Sequence, residues 1–120
     1  MRILIVEDSI PVATLLAESV KLQGHEAIVA RSGREALSLL DQRLPDAVFL
    51  DIVMPEMTGI EVLRRIRQTQ PALPVIVITG VASSEQIEEA RRLGAMDVME
   101  KPFGLKYLGE ALRKLRGEGA

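Results

Sequence analysis

An α/β fold built on a parallel sheet is the architecture that the order of patterns along this chain predicts. Short apolar runs, typical of buried strands, alternate five times with longer stretches whose apolar residues have helical spacing. Three of the helical stretches open with residues in capping-box spacing, namely Ser32 with Glu35, Thr58 with Glu61, and Ser83 with Gln86. Five strands alternating with five helices indicate one sheet with helices on both faces, joined by right-handed crossovers.

The bounds of the elements follow from the apolar runs and from the residues that interrupt them. Strands are predicted at residues 3–6, 26–30, 47–50, 75–78 and 95–99. The helix after the first strand should end at Gly24. Its spacing predicts a buried face made of Val12, Leu15, Leu16, Ser19 and Val20.

Composition predicts one globular domain and is compatible with a location in the reducing cytoplasm, which we expect. The 120 residues are 48% hydrophobic and 27% charged, so we expect one domain over residues 1–120 with an adequate core. A net charge of -2 gives no general attraction to nucleic acid or to anionic membranes. There is no cysteine, no signal peptide pattern and no apolar stretch long enough to cross a bilayer. Neither nucleic acid nor a membrane is therefore expected as a direct partner.

Polar residues that can carry chemistry follow four of the predicted strands. Glu7 and Asp8 follow the first strand, Asp51 the third, Thr79 the fourth and Lys101 the fifth. The carboxyl ends of parallel strands meet at one edge of the sheet, where ligands bind in open α/β folds. If the first and third strands are neighbours, the three acids share a crevice.

Three carboxylates in one crevice repel one another, and a hard divalent cation with oxygen ligands relieves that repulsion. We therefore expect Mg²⁺, or Mn²⁺, at Glu7, Asp8 and Asp51. Together with the positive charge of Lys101 and the hydroxyl of Thr79, such a site would hold a phosphoryl group. One carboxylate, that of Asp51, can then act as the nucleophile that accepts it.

The same residues resemble the motifs of a response regulator receiver domain, over essentially the whole chain. The matching motifs are Glu7-Asp8, Asp51 with Met54-Pro55 and Gly59, Thr79, and Lys101-Pro102-Phe103. The resemblance implies a flavodoxin-like, doubly wound (βα)5 fold with strand order 2-1-3-4-5. It also implies that Asp51 accepts a phosphoryl group from a histidine of a sensor kinase or phosphotransfer protein. The chain would then be no enzyme beyond catalysing its own phosphorylation and dephosphorylation.

Further roles come from the resemblance alone. The metal would be held by Glu7, Asp8, Asp51 and the main-chain carbonyl of Val53. Thr79 and Lys101 would bind the phosphoryl oxygens, and the Lys101–Pro102 peptide would be cis.

An output domain or a partner protein would bind the face formed by the fourth helix, the fifth strand and the fifth helix. A homodimer through the same face is also compatible with the resemblance. Candidate residues on that face are Ala90, Leu105 and Leu108.

The residues at two positions bear on how the receiver would transmit its signal. The residue three before the lysine is usually aromatic and is Val98 here, and Gly80 follows the threonine. We therefore expect the signal to pass through the loop of residues 80–84 and the fourth helix. Val53 and Val81 are expected to flank the site and to hinder the water that hydrolyses an acyl phosphate.

Three other functions are compatible with a parallel α/β sheet, and each lacks a feature that it requires or is disfavoured by the residues present. A phosphohydrolase with an aspartyl nucleophile needs a second acid two residues later, where this chain has Val53. A flavodoxin-type nucleotide binder needs a first loop rich in Gly, Ser and Thr, where this chain has two acids. A receiver fold that has lost switching is disfavoured by the complete set of acids, threonine and lysine.

Several residues have simpler interpretations as surface or packing residues. His25 is expected at the surface, and Arg64, Arg65 and Arg67 on a solvated helix face. The methionines, among them Met96, are expected to pack in the core.

Overall fold

In the computed structural model of the chain, residues 1–80, 82–101, 105–115 and 117 are described, and at residues 105–107 the description covers the backbone only. The expectations on Val81, the Lys101–Pro102 peptide, Phe103 and the side chain of Leu105 lie outside the described residues. The described elements are β1 (Arg2–Val6), α1 (Ile10–Leu22), β2 (Glu26–Ala30), α2 (Gly33–Gln42), β3 (Ala47–Asp51), α3 (Gly59–Thr69), β4 (Val75–Thr79), α4 (Ser84–Arg92), β5 (Asp97–Glu100) and α5 (Leu105–Leu115).

The five strands form one parallel sheet in the order β2-β1-β3-β4-β5, which confirms the predicted strand order. In the register of β1 and β3, Val6 lies opposite Leu50. In the register of β3 and β4, Asp51 lies opposite Ile78. The central strands β3 and β4 are buried throughout, as expected for a parallel sheet covered on both faces.

Two hydrophobic clusters, one on each face of the sheet, form the core. Side chains alternate between the faces along each strand, so Leu4 and Val6 belong to one cluster and Ile3 and Ile5 to the other. The first cluster packs under α2, α3 and α4. The second packs under α1 and α5. Both faces are therefore covered, as the alternating pattern predicted.

The three predicted capping residues hold the starts of their helices. The hydroxyl oxygens of Ser32, Thr58 and Ser83 each accept a hydrogen bond from the backbone N–H three residues later. Only at Ser83 does the second half of the capping box also form, through the side chain of Gln86.

The structure corrects several predictions on side-chain burial. On α1, Leu15 is 51% exposed and Ala13 lies in the core instead. His25 is buried, and its Nδ1 lies 2.9 Å from the amino group of Met1. Met96 is exposed, because it precedes β5 rather than lying in it.

Two candidates for the partner surface were also wrong. Ala90 and Leu108 are both buried in the core, one in each cluster. Among the described residues, no helix is both long enough and apolar enough to span a membrane.

Candidate functional site

The carboxyl ends of β1, β3, β4 and β5 bring the predicted polar residues to one edge of the sheet. Because β1 and β3 are neighbours, Glu7 and Asp51 directly follow the paired residues Val6 and Leu50. Glu7, Asp51 and Thr79 are all buried. Buried carboxylates need specific partners, and Glu7 and Asp51 share Lys101 as theirs.

The three acids meet in one cluster. One carboxylate oxygen from each of Glu7, Asp8 and Asp51 lies within 4.8 Å of the other two. A group of three carboxylates at this spacing can hold a metal ion through hard oxygen ligands. The structure thus brings together the side chains that the sequence places after β1 and β3.

Lys101 joins two of the acids. Its Nζ lies 2.7 Å from Oε2 of Glu7 and 3.1 Å from Oδ2 of Asp51. Burial lowers the pKa of Lys101, but the hydrogen bonds and charges of the two carboxylates outweigh burial and raise that pKa above its ordinary value. The backbone N–H of Lys101 donates to the carbonyl of Thr79 at 2.7 Å, so the lysine is positioned directly by β4.

The carboxyl group of Glu7 titrates far from its ordinary range. Burial raises the pKa of Glu7 to about 7, against the lowering effect of hydrogen bonds from Lys101 and from the backbone N–H of Ser9. The charge of Asp51 adds to the rise. The buried carboxyl group of Glu7 therefore carries its negative charge less readily than an exposed glutamate does.

Asp51 is oriented by the loop that follows it. The backbone N–H of Val53 donates to Oδ1 of Asp51 at 2.9 Å, which leaves Oδ2 facing Lys101. This is the local bond that an aspartate makes to the backbone two residues later. At the other end of the loop, the N–H of Gly59 donates to the carbonyl of Ile52, which brings the start of α3 against β3.

Thr79 has a partner that the sequence analysis missed. Its hydroxyl oxygen accepts a hydrogen bond of 2.9 Å from the backbone N–H of Ala82, in the loop between β4 and α4. The hydroxyl hydrogen is not used by that bond and remains able to donate. Threonine side chains commonly make such bonds to nearby backbone groups, which is the only local signal for this one.

Comparisons with known proteins identify the family of the chain. The model of the response regulator receiver domain family matches residues 3–113. The chain belongs to this family. As the sequence predicted, it is a phosphorylation-switched signalling module.

Among similar receiver domains, the response regulator MprA of Mycolicibacterium vanbaalenii is 39% identical over 115 residues, which are 96% of this chain and 50% of that protein. The sporulation initiation phosphotransferase F of Bacillus subtilis is 34% identical over 113 residues, 94% of this chain and 91% of that protein. The chain thus spans only half the length of MprA. The crystal structure of the receiver domain of NtrX from Brucella abortus superimposes with a TM-score of 0.90 at 33% identity, covering 98% of this chain and 99% of that one.

Val98 takes the place of the aromatic residue that receivers usually have. It is half-buried and packs against the cluster under α2, α3 and α4. In β5 it lies opposite Val77 of β4. Its isopropyl group has no aromatic ring, so a signal that depends on movement of a ring is not available at this position.

Proposed function

We propose that residues 1–120 form a receiver domain in which Asp51 accepts a phosphoryl group from a phosphohistidine. The donor would be a sensor histidine kinase or a phosphotransfer protein. The observation that carries the proposal is the meeting of the Asp51 carboxylate with two further acids and with Nζ of Lys101 at 3.1 Å. A carboxylate nucleophile and a cation for the transferred oxygens are the two parts that phosphoryl transfer needs.

The transfer exchanges one bond to phosphorus for another. A carboxylate oxygen of Asp51 attacks the phosphorus, and the bond from phosphorus to the histidine nitrogen breaks. The electron pair of that bond goes to the ring nitrogen, and the histidine leaves as neutral imidazole when its other nitrogen carries a proton. Without that proton, the departing nitrogen takes one from water. Because Val53 N–H already holds Oδ1 at 2.9 Å, Oδ2 is the oxygen that we assign as the nucleophile.

The donor set fits Mg²⁺ or Mn²⁺. Glu7, Asp8 and Asp51 would hold the ion. By resemblance to the family, the main-chain carbonyl of Val53 would be a further ligand. Carboxylate and carbonyl oxygens are the ligands that these hard cations prefer. When bound, the ion supplies positive charge that neutralises the phosphoryl oxygens and the crowded carboxylates.

Lys101 and Thr79 would bind the oxygens of the transferred group. Phosphorylation turns the single charge of the Asp51 carboxylate into the roughly double charge of an acyl phosphate, and Lys101 is already beside it. The ammonium of Lys101 exchanges one of its carboxylate partners for a phosphoryl oxygen. The hydroxyl of Thr79 donates its free hydrogen to another.

The output would leave the site through the loop of residues 80–84 and α4. If Thr79 turns its hydroxyl toward the phosphoryl group, its bond from the N–H of Ala82 is stretched or lost. With Val98 in place of an aromatic residue, this loop is the connection that remains between the site and the face formed by α4, β5 and α5. We propose that this face binds an output domain or a partner protein, or a second copy of the chain.

Within the described part of α4 and α5, charged side chains are available to such a partner. Ala90 and Leu108 point into the core, whereas Glu88, Arg91 and Lys114 are exposed. The chain would work in the cytoplasm, with no direct contact to nucleic acid and no catalytic turnover beyond its own phosphorylation and dephosphorylation.

The test is incubation with acetyl phosphate and Mg²⁺, followed by intact mass. We expect one added phosphoryl group on the wild-type protein and none on Asp51→Asn. The matched control is Asp41→Asn, an exposed acid on α2, which should be phosphorylated like the wild type. Phosphorylation of Asp51→Asn to the wild-type extent would refute the assignment.

A further inference from the structure

Arg67 makes an unusual set of contacts for a residue on the outer side of α3. Its Nε donates to the carbonyl of Leu93 at 2.7 Å, and its Nη2 to the carbonyl of Gly94 at 3.0 Å. Its Nη1 donates to the carbonyls of Gln70 at 3.0 Å and Leu73 at 2.8 Å. One guanidinium therefore joins the C-terminal end of α4 to the loop between α3 and β4. The expectation that Arg67 lies on a solvated face was wrong.

These contacts lie just past the C-terminal end of α4, which ends at Arg92. The last turn of α4 is closed by backbone bonds, in which the N–H groups of residues 93–95 donate to carbonyls of residues 89–91. The carbonyls of Leu93 and Gly94 accept from Arg67, at the end where the helix dipole places partial negative charge. The planar fork of an arginine can donate to several carbonyls at once. Gly94 has a φ of +81°, and a Cβ at this position would lie only 3.2 Å from Nε of Arg67, so a glycine admits the close approach.

The N-terminal end of α4 is held differently. Its first turn is closed by the bonds between Ser83 and Gln86, which lie within the segment itself. The bond from the N–H of Ala82 to the hydroxyl of Thr79 ties it to the rest of the domain, and that hydroxyl belongs to the phosphoryl site. The C-terminal end of α4 is thus attached to Arg67 of α3, and the N-terminal end is attached to Thr79 at the proposed phosphoryl site.

The body of α4 is weakly packed between these ends. Of the described residues of α4, only Ala90 is fully buried. The ion pair of 3.2 Å between Arg64 and Glu89 also connects α3 to α4, but its side chains are 48% and 33% exposed, and ion pairs that water reaches contribute little. Elements with few buried contacts belong to the part of a protein that opens most easily.

We propose that Arg67 anchors the C-terminal end of α4, so that phosphorylation moves the N-terminal end of this helix while its C-terminal end stays in place. The inference rests on the proposed function for the part that concerns phosphorylation. Its other part, the anchor itself, is a property of the unphosphorylated protein. The surface that a partner reads would accordingly change around residues 82–88 and remain constant around residues 91–95.

The test measures amide hydrogen exchange, residue by residue, by NMR. The variants are Arg67→Gln, which removes the fork, and Arg67→Lys, which keeps the charge but cannot serve four carbonyls. Arg64→Gln is the matched control, because it cuts the other contact of α3 with α4. In the resting protein, exchange at Leu93, Gly94 and Ala95 should rise at least about tenfold in Arg67→Gln, the effect of losing a hydrogen bond to a charged group. It should rise less in Arg67→Lys and stay unchanged in Arg64→Gln.

The second arm repeats the measurement with acetyl phosphate and Mg²⁺, with intact mass as the check on phosphorylation. In the wild type, exchange should change at Ala82, Gln86 and Ile87 and not at residues 93–95. In Arg67→Gln the change should spread along α4 to residue 95. Equal changes at both ends of α4 in the wild type would overturn the proposal.

The resting arm decides the anchor by itself. Unaltered resting exchange at residues 93–95 in both Arg67 variants would overturn it, and Arg67→Lys carries this test if Arg67→Gln does not fold. If acetyl phosphate adds no phosphoryl group to the wild type, the proposed function fails, while the resting comparison still tells whether Arg67 holds α4.

Discussion

Replacing Gly59 by alanine tests how tightly the start of α3 is packed against the phosphoryl site. A Cβ on residue 59 would overlap the carbonyl oxygen of Asp51 and the Cα of Ile52, and would lie 2.8 Å from the carbonyl carbon of Asp51. To reach 3.4 Å, the near limit of ordinary contact, that carbon must move by about 0.6 Å, and the two atoms that overlap must move farther, by about 1 Å or more. The backbone of a buried strand has little room to move, so the strain falls on the residue that carries the nucleophile.

The expected effects are a less stable protein and a slower phosphorylation. Overpacking of this kind costs about 1–3 kcal/mol of the free energy of unfolding. For a domain of this size, that corresponds to a melting temperature lower by about 4–12 °C. A displacement of a nucleophile by about 1 Å lowers the rate of a positioned reaction by about 10²-fold. We therefore expect Gly59→Ala to be phosphorylated by acetyl phosphate about 10²-fold more slowly than the wild type.

Two other glycines provide matched controls. Gly33, like Gly59, is the first residue of its helix, but an added Cβ would meet the side chains of Val62 and Met57 at 2.8 and 3.0 Å, which can move. Gly109 lies inside α5, and its Cβ would have no neighbour nearer than 3.8 Å. Gly33→Ala should lose less stability than Gly59→Ala, and Gly109→Ala should gain up to about 1 kcal/mol from its helix propensity.

The assays are thermal unfolding by circular dichroism and the rate of phosphorylation by intact mass, the latter well below the melting temperature of each variant. Both Gly33→Ala and Gly109→Ala should be phosphorylated at the wild-type rate. A Gly59→Ala protein with wild-type stability and a wild-type rate would show that the loop before α3 gives way freely, and the reasoning from close packing would be refuted.

Three further predictions concern the site itself. Removal of divalent cations with EDTA should abolish phosphorylation by acetyl phosphate, since the three acids would then repel the incoming group; undiminished labelling in EDTA would contradict the metal assignment. Lys101→Met should slow phosphorylation about 10²-fold, yet Mg²⁺ should bind at least as tightly by calorimetry, because Lys101 no longer competes for Glu7 and Asp51. Val53→Asn should shorten the lifetime of the acyl phosphate, measured by intact mass after removal of the donor, because an amide can hold the water that a half-buried valine excludes. An unchanged lifetime would show that Val53 does not hinder the water that hydrolyses the acyl phosphate.

Local patterns in the sequence were enough for the architecture and for the edge of the sheet at which the polar residues lie. Short apolar runs bounded by Pro, Gly and acids gave β1 to β4 within a residue of their observed bounds. The start of β5 was predicted two residues too early, where the pattern is weakest. The capping residues Ser32, Thr58 and Ser83 were found because a cap is a contact between residues three apart.

Errors arose wherever the neighbour of a side chain comes from a distant part of the chain. Leu15 and Ala13 both border the apolar stripe of α1, and only the packing of α1 on the sheet decides that Ala13 is inside. The carbonyls of Leu93 and Gly94 that Arg67 binds lie 26 and 27 residues away, and nothing in the local sequence of α3 distinguishes this arginine from Arg64.

The sequence by itself determined the fold and the set of chemical groups at the carboxyl edge, because strand and helix periods, caps and strand-ending residues are local properties. The family was identified from the resemblance of the motifs at the strand ends. The tertiary structure decided how those groups are partnered: Lys101 with both Glu7 and Asp51, Thr79 with Ala82, and Arg67 with the end of α4. The physical reason is that a short-range hydrogen bond or ion pair depends on distances of a few tenths of an ångström. Such distances are set only when the whole sheet and its helices have packed together.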